Sequence, residues 1–271
     1  MRRLSLDHIT VVDTTPSQLA EAAAASGCAG MCLFLHPMAV LPDMPTFDLI
    51  GNTPERRRTR DAMAAGGIAL DLVYPFTLAG RTEVATFEPA LETAAWLGAR
   101  TANILCYDRD PTRRLDRIAA LADLAGGYGM GLVIEFYPPS QVRSLADAFA
   151  TIDALGRDDV GITLDLLHLA RMAEMPAALP LLADPWIRIA QLSDGAPTIA
   201  PELLEWEAGK QRMLPGAGSF DVAGFAAAVA ADVPLSIEVP REDALRAGMP
   251  PIERAQQAVA ATLRAIGEGG G

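Results

Sequence analysis

The sequence predicts an α/β protein and, within that class, a single (β/α)8 TIM barrel. Three observations point there. Apolar runs of strand length alternate with amphipathic or alanine-rich stretches of helix length along all 271 residues, the pattern of parallel βα units. Eight such runs can be counted, the number that closes a barrel of about 250 residues. Behind the first run, Val11-Val12-Asp13-Thr14 offers none of the glycines that an open dinucleotide-binding sheet carries at that turn.

The first strand is expected near Arg3–Thr10, followed by an alanine-rich helix at Pro16–Ser26. The second strand is Gly30–Leu35. Thr53-Pro54-Glu55 then opens a helix that runs to about Ala65: threonine caps it, and proline suits the first helical position, where an N–H would find no partner. Strand three is Ile68–Val73, with its helix at Val84–Leu97. Strand four, Thr101–Cys106, is followed by Thr112–Ala125. Strand five, Leu132–Phe136, is followed by Ser144–Leu155, and strand six, Gly161–Leu166, by a helix around Pro176–Leu182. Strand seven is Ile187–Leu192. A long loop, Ser193–Ser219, separates it from a helix near Val222–Ala230. Leu235–Val239 is the eighth strand and Pro251–Ile266 the last helix. Residues 1–266 are read as one domain and 267–271 as a flexible glycine-rich tail.

A chain of this length, 51% hydrophobic and 21% charged, can bury one large core. Its formal charge of −12 repels a polyanion on average, so no nucleic-acid partner is expected. No apolar run reaches the roughly 18 residues a membrane helix needs, so no membrane partner is expected either. The basic Met-Arg-Arg start has no long apolar stretch behind it and does not read as a secretory leader. Cys28, Cys32 and Cys106 form no paired framework, which points to free thiols in a reducing cytoplasm.

The chemistry is concentrated in the second half. Four apolar runs end in an oxygen ligand: Leu132-Val133-Ile134-Glu135, Ile162-Thr163-Leu164-Asp165, Ile187-Arg188-Ile189-Ala190-Gln191 and Leu235-Ser236-Ile237-Glu238. An acid or amide at the end of a buried strand is badly placed for a core. It is well placed for a site, because catalytic groups of such barrels sit at the C-terminal strand ends. Adjacent strands lie about 5 Å apart, so four consecutive ends can converge on one point. Carboxylates held that close repel, and one would take up a proton unless a cation joined them. Glu135, Asp165, Gln191 and Glu238 therefore read as an oxygen cage for one divalent metal ion.

His8, His36 and His168 lie at or just past predicted strand ends. His168 is the best placed, beyond Asp165 on the same segment, to touch substrate or carry a proton in transit. His8 is a second candidate substrate contact. The loop after strand seven holds Glu205-Trp206, then Arg212, then Pro215-Gly216-Ala217-Gly218. A connection that long is usually functional. Arg212 suits a substrate hydroxyl, carboxylate or phosphate, Glu205 accompanies it, and Pro-Gly-x-Gly lets backbone approach a ligand closely. Tyr74, Tyr107 and Tyr137 follow strands three to five and can line a pocket, with Tyr74 counted among the substrate contacts. Arg56-Arg57-Arg58-Thr59-Arg60 sits inside a helix beside Glu55 and Asp61 and reads as a solvated face. Lys210, the sole lysine, lies in the loop rather than at a strand end, so Schiff-base chemistry is not expected.

Glu135 in Val-Ile-Glu-Phe, Asp165 and His168 in Thr-Leu-Asp-Leu-Leu-His, Gln191 in Ile-Ala-Gln-Leu-Ser-Asp and Glu238 in Ser-Ile-Glu-Val-Pro together resemble the xylose-isomerase-like barrel superfamily. That superfamily holds sugar-phosphate isomerases, epimerases, inosose dehydratases and endonuclease IV. The resemblance covers nearly the whole chain, with its motifs crowded into the second half. Many members carry histidine on strand seven where this chain has Gln191; the harder amide oxygen moves the expected ion towards Mg²⁺ or Mn²⁺, with Co²⁺ or Zn²⁺ as alternatives. A narrower resemblance, to bacterial 3-dehydroshikimate dehydratases, runs through Gln191-Leu192-Ser193-Asp194, Leu204-Glu205-Trp206, Arg212 and Pro215-Gly216-Ala217-Gly218-Ser219-Phe220-Asp221. Pro75-Phe76 fits the same pattern. Those dehydratases carry an arginine after Pro-Phe, where this chain has Thr77, and Phe136-Tyr137-Pro138-Pro139 also departs from them. Endonuclease IV needs many more histidines than the three present.

The resemblance implies a metal-dependent isomerase or epimerase of a small polyhydroxylated ketone or aldehyde. Glu135 and Glu238 would remove and return a proton through an enediolate intermediate, with His168 as a further acid or base. Loss of a β-hydroxyl instead gives a dehydratase of the 3-dehydroshikimate or inosose type, the second expectation. A sugar-binding barrel without chemistry is the third. The resemblance also implies pairing into homodimers or homotetramers.

Overall fold

The computed structural model describes residues 2–268, in which eight parallel strands follow one another in chain order and close into a barrel. The strands are β1 Leu4–Asp7, β2 Gly30–Phe34, β3 Ala69–Leu78, β4 Thr101–Cys106, β5 Gly131–Glu135, β6 Val160–Asp165, β7 Ile187–Leu192 and β8 Leu235–Ile237. The ring closes where β8 pairs with β1. The helices are α1 Pro16–Ala25, α2 Pro54–Gly66, α3 Glu88–Leu97, α4 Pro111–Gly127, α5 Leu145–Leu155 and α6 Leu166–Arg171. They continue with α7 Met175–Ala178, α8 Leu204–Lys210, α9 Val222–Ala228, α10 Glu242–Arg246 and α11 Pro251–Ala265. Among the described residues no helix is long and apolar enough to cross a membrane.

Local chemistry sets the helix starts. Thr15 and Gln18 form a reciprocal capping box on α1, while Thr53, Asp110 and Ser144 each accept a backbone N–H from the first turn of α2, α4 and α5. Each such cap satisfies a donor that the helix itself cannot. Leu19, Leu91, Ile118, Ile152 and Phe225, one from each of five helices, are fully buried in the core shared with the strands. At the N-terminal end of the barrel, Asp71 is buried and accepts from Arg3 at 2.6 Å and from Ser5 at 2.5 Å. A Cβ on Gly30 would fall 2.0 Å from Asp71 Oδ2, so that end closes only with glycine there.

Several segments depart from the sequence expectation. Strand one stops at Asp7, whose carboxylate accepts the Ile9 N–H and turns His8–Val11 into a 3₁₀ turn. Strand three runs on through Pro75 to Leu78 and carries Tyr74 and Thr77 within it. Asp165 caps α6 directly, through the Leu167 N–H, with no loop after the strand. The helix expected around Pro176–Leu182 reduces to α7 and a 3₁₀ turn at Leu179–Leu181. The segment 193–219 is not a plain loop, since it contains α8 with Glu205 and Trp206. The arginine run is not merely solvated: Arg56 is buried, and Arg56 and Arg60 stack on Trp96 at 4.3 and 4.4 Å. Of the expected tail, Glu268 accepts the Arg2 backbone N–H, while 269–271 lies outside the described residues.

Candidate active site

Strand register decides which side chains meet at the C-terminal end. Asp165 lies opposite Gln191, and Gln191 opposite Ser236, two residues before Glu238. Glu135 lies opposite Thr163, two residues before Asp165. Because side chains alternate along a strand, these positions share one face, the interior of the barrel. Above them opens a cavity of about 700 Å³, lined by Tyr74, Asn103, Glu135, His168, Gln191, Glu205, Arg212 and Glu238 among others.

His168, on the first turn of α6, has Nε2 3.3 Å from Asp165 Oδ2 and 3.5 Å from Glu135 Oε1. One donor atom from each of Glu135, Asp165 and His168 lies within 4.8 Å of the others, a span one metal ion can bridge. Asn103 of β4 donates to Glu135 Oε2 at 2.6 Å and accepts from Thr163 Oγ1 at 2.7 Å, so a chain of hydrogen bonds across the strands aims the glutamate. Arg212 is buried, with Nη1 3.1 Å from Asp165 Oδ2 and Nη2 3.2 Å from Glu238 Oε1. Two buried oxygens, Gln191 Oε1 and Glu238 Oε2, have no hydrogen-bond partner among the described residues.

The electrostatics follow from burial and from the shortage of positive charge. Burial pushes the Glu238 carboxyl well above the usual range despite Arg212, and the charges of Asp165, Asp7 and Glu135 add to that. Burial acts on Asp165 in the same direction, but Arg212, His168 and the Leu167 N–H outweigh it and hold that carboxyl low. Arg212 is buried too, yet the acids around it raise its pKa. Below Tyr74, whose hydroxyl donates to it in a short contact, Asp7 is pushed by burial to about 7.

Of the residues expected from sequence, Glu135, Asp165, His168, Gln191, Arg212, Glu238, Tyr74 and Glu205 come to this one region. His8 does not. Its ring is buried off the cavity, with Nε2 3.0 Å from Thr14 O and Nδ1 accepting from the Phe34 N–H at 3.4 Å. The 3₁₀ turn after Asp7 is what carries it into the core, where burial lowers its pKa to about 4. Arg212 is no free hook for substrate; it is committed to Asp165 and Glu238. The Pro-Gly-x-Gly backbone wraps a residue of this chain instead of a ligand. The buried Asp194 carboxylate accepts the N–H groups of Gly216, Gly218 and Phe220, each at 2.9 Å, and of Gly195 at 2.8 Å. Asn103 and Asp7 were not anticipated. Their signal is a polar residue at an inward position of a largely apolar strand.

A family model described as the xylose isomerase-like TIM barrel matches residues 18–266. The chain belongs to that family. Among curated relatives, a 3-dehydroshikimate dehydratase from Pseudomonas putida is 25% identical over 252 residues, covering 87% of this chain and 37% of its own length. An inosose isomerase from Bacillus subtilis is 25% identical over 154 residues, 53% of this chain and 54% of its own length. The chain thus spans about a third of the one relative and about half of the other. Among solved structures, the IOLI protein with a bound zinc atom superposes with a TM-score of 0.78 at 18% identity, covering 98% of each chain. That likeness bears on the fold alone.

Proposed function

We propose that this chain is a divalent-cation-dependent isomerase or epimerase of an uncharged polyhydroxy ketone or aldehyde, working through an enediolate. One observation carries the reading: the unpartnered Gln191 Oε1 and Glu238 Oε2 lie in the same pocket as the Glu135, Asp165 and His168 cluster. Buried oxygens are rarely left unpaired unless something else completes them. The donor set fits a cation as well, since among the described residues Asp7, Glu135, Asp165 and Glu238 are faced by one guanidinium, Arg212, and one imidazole, His168. Glu135, Asp165, Gln191 and Glu238, with His168 beside them, would hold the ion. Bound there, it would polarise a substrate carbonyl as a Lewis acid.

The chain's own groups supply the rest. Glu135 and Glu238 reach the cavity from β5 and from just beyond β8. One removes the proton from the carbon beside the carbonyl and the other returns one. Return to the neighbouring carbon is isomerisation, and return to the opposite face is epimerisation. Asn103 keeps Glu135 aimed. Without the ion, burial favours the protonated form of Glu238; as a ligand to the ion it would be ionised and able to accept the substrate proton. His168 is placed to pass a hydroxyl proton between neighbouring substrate oxygens. Arg212 fixes Asp165 and Glu238 in place, and its own position is set by two hydrogen bonds to Ala208 O at 3.1 Å.

A dehydratase reading is favoured by the relatives' names. Apart from the proposed ion, the cavity lining offers no unpaired cation to a carboxylate such as that of 3-dehydroshikimate. Each basic side chain lining it already faces an acid: Arg212 meets Asp165 and Glu238, His168 meets Glu135 and Asp165, and Lys210 Nζ lies 3.9 Å from Glu242. Thr77 adds no charge.

The test is metal analysis by mass spectrometry after chelator-free purification, a thermal-shift titration with Mg²⁺, Mn²⁺, Co²⁺ and Zn²⁺, and NMR of solvent-deuterium incorporation into a ketose and an inosose. About one ion per chain, stabilisation that disappears in Glu135→Ala, and deuterium in the substrate support the proposal. No ion, no stabilisation and no exchange overturn it. Water loss from 3-dehydroshikimate without deuterium exchange into either keto-polyol replaces it with the dehydratase.

A further inference from the structure

The cavity is divided into two chemistries. Its floor, at the strand ends, is polar, with Asn103, Glu135, Gln191 and Glu238. Its outer wall comes from two connections beyond the strands: the segment after β2, with Met38, Val40 and Leu41, and α8, with Trp206. Val40 is 72% and Trp206 40% exposed. The two connections approach each other, since Leu41, Pro42 and Asp43 line a small cleft together with Gly209 and Lys210. The wall has a packed backing, since Phe34 meets Tyr74 edge to face at 4.1 Å and both cluster with Leu41 and Met44. Trp206 has its one polar atom satisfied, because Nε1 donates to Glu242 Oε2 at 3.0 Å. That hydrogen bond holds the indole in place while its hydrocarbon surface contributes to the cavity.

A polyol offers such a wall only the C–H face of its carbon skeleton, which Trp206 alone is large enough to cover, so Met38 and Val40 are left for a further apolar group. Exposed apolar side chains clustered at a cavity mouth are a surface that binding covers. The volume agrees. About 700 Å³ lies within the roughly 300–1,000 Å³ used for drug-sized ligands and exceeds what a six-carbon polyol fills. Nor does the wall present a free cation for a distal phosphate, since Lys210 faces Glu242.

We infer that the substrate is a polyol bearing an aromatic appendage, its oxygens on the polar floor and its ring against Trp206, Met38 and Val40. This rests on the proposed polyol chemistry of the floor and adds to it the identity of the distal group.

Methyl and phenyl β-D-glucopyranoside present the same hydroxyl set without and with an aromatic ring. Their affinities are compared by calorimetry on the full chain in the presence of Mn²⁺. The phenyl glycoside is expected to bind about tenfold more tightly, the scale of one well-formed aromatic contact. That advantage should fall below about threefold in Trp206→Ala, with the methyl glycoside's affinity unchanged. Val40→Ser, at an exposed loop position, gives the same comparison if the Trp206 variant fails to fold. Equal affinities, no measurable binding of the phenyl glycoside, or an advantage that survives both substitutions would each overturn the inference. Deuterium exchange into a bare ketose is read separately. Exchange without phenyl preference leaves the isomerase standing and removes the appendage; phenyl preference without exchange leaves the aromatic wall and removes the isomerase.

Discussion

The two ends of the barrel both bury acids, and they balance them in opposite ways. At the N-terminal end one carboxylate, Asp71, meets Arg3 at 2.6 Å and Ser5 at 2.5 Å, with Arg100 3.8 Å away. Positive charge is in excess there and no oxygen of Asp71 is left over. At the C-terminal end Asp7, Glu135, Asp165 and Glu238 surround one guanidinium and one imidazole, and Glu238 Oε2 and Gln191 Oε1 stay unpaired. Burial is therefore no guide to function in this molecule, because both ends are buried. The local balance of charge is the guide. A fold closes an ion pair where it needs only rigidity and leaves a deficit where a ligand is to be held.

The largest break in this comparison is expected from Glu238→Gln. Burial already favours the neutral carboxyl in the cation-free chain, so the amide should leave its melting temperature nearly unchanged. Deuterium exchange into the ketose should fall about 10³-fold, the range lost with a general acid or base. Retained exchange would remove Glu238 from proton transfer. Arg212→Met comes next. It takes the guanidinium from the buried Asp165 carboxylate, beside Glu238, which costs about 3–5 kcal/mol, read as a lower urea midpoint. Saturating Mn²⁺ should recover part of the loss; no recovery would mean that these acids do not share a cation.

The opposite end supplies the control. Asp71→Ala should cost only about 1–3 kcal/mol, because Arg3 and Arg100 can turn to solvent when the carboxylate is gone. It should leave exchange and cation-induced stabilisation as they were, and a change in either would deny that the two ends are independent. The smallest effect is the pH dependence of Asp7. Its carboxyl titrates near 7 in the folded chain against an ordinary 3.8. The native state thus keeps a proton that the unfolded chain releases between those values, and stability is lost as pH rises from about 4 towards 7. Asp7→Asn removes this loss, so its melting temperature relative to the parent should be more favourable at about pH 8 than at about pH 4. Equal differences at the two pH values would show that Asp7 does not titrate in this window. His8, buried neutral, has the opposite dependence but is common to both proteins and cancels in the difference.

What the sequence disclosed depends on whether a feature has a local signature. β4 and β7 match their expected bounds because each is a compact run between turn signals. Glu135, Asp165, Gln191 and Glu238 stood out because each ends such a run. α6 was hidden, since the apolar run of β6 passes into it through Asp165 with no glycine or proline to mark the change. Asn103 was hidden for a different reason: its meaning comes from Thr163, 60 positions away. Gly216 and Gly218 announced that something approaches the backbone closely, which was right, but a glycine cannot say what. The approaching group is the Asp194 carboxylate, and a Cβ at Gly218 would lie 2.3 Å from it.

That carboxylate has a consequence for how such a barrel diversifies. Asp194 gathers the backbone of Gly216, Gly218 and Phe220, and it also pairs with Met213 in an antiparallel bridge. The chain between Asp194 and Met213 is thus clamped at its two ends, close to Arg212, while α8 and Trp206 sit between the clamps. Such a stretch is an exchangeable cassette. Lineages can rewrite its outer part around Trp206, and with it the range of molecules admitted, provided that Ala208 and Arg212 stay to hold Asp165 and Glu238 of the floor.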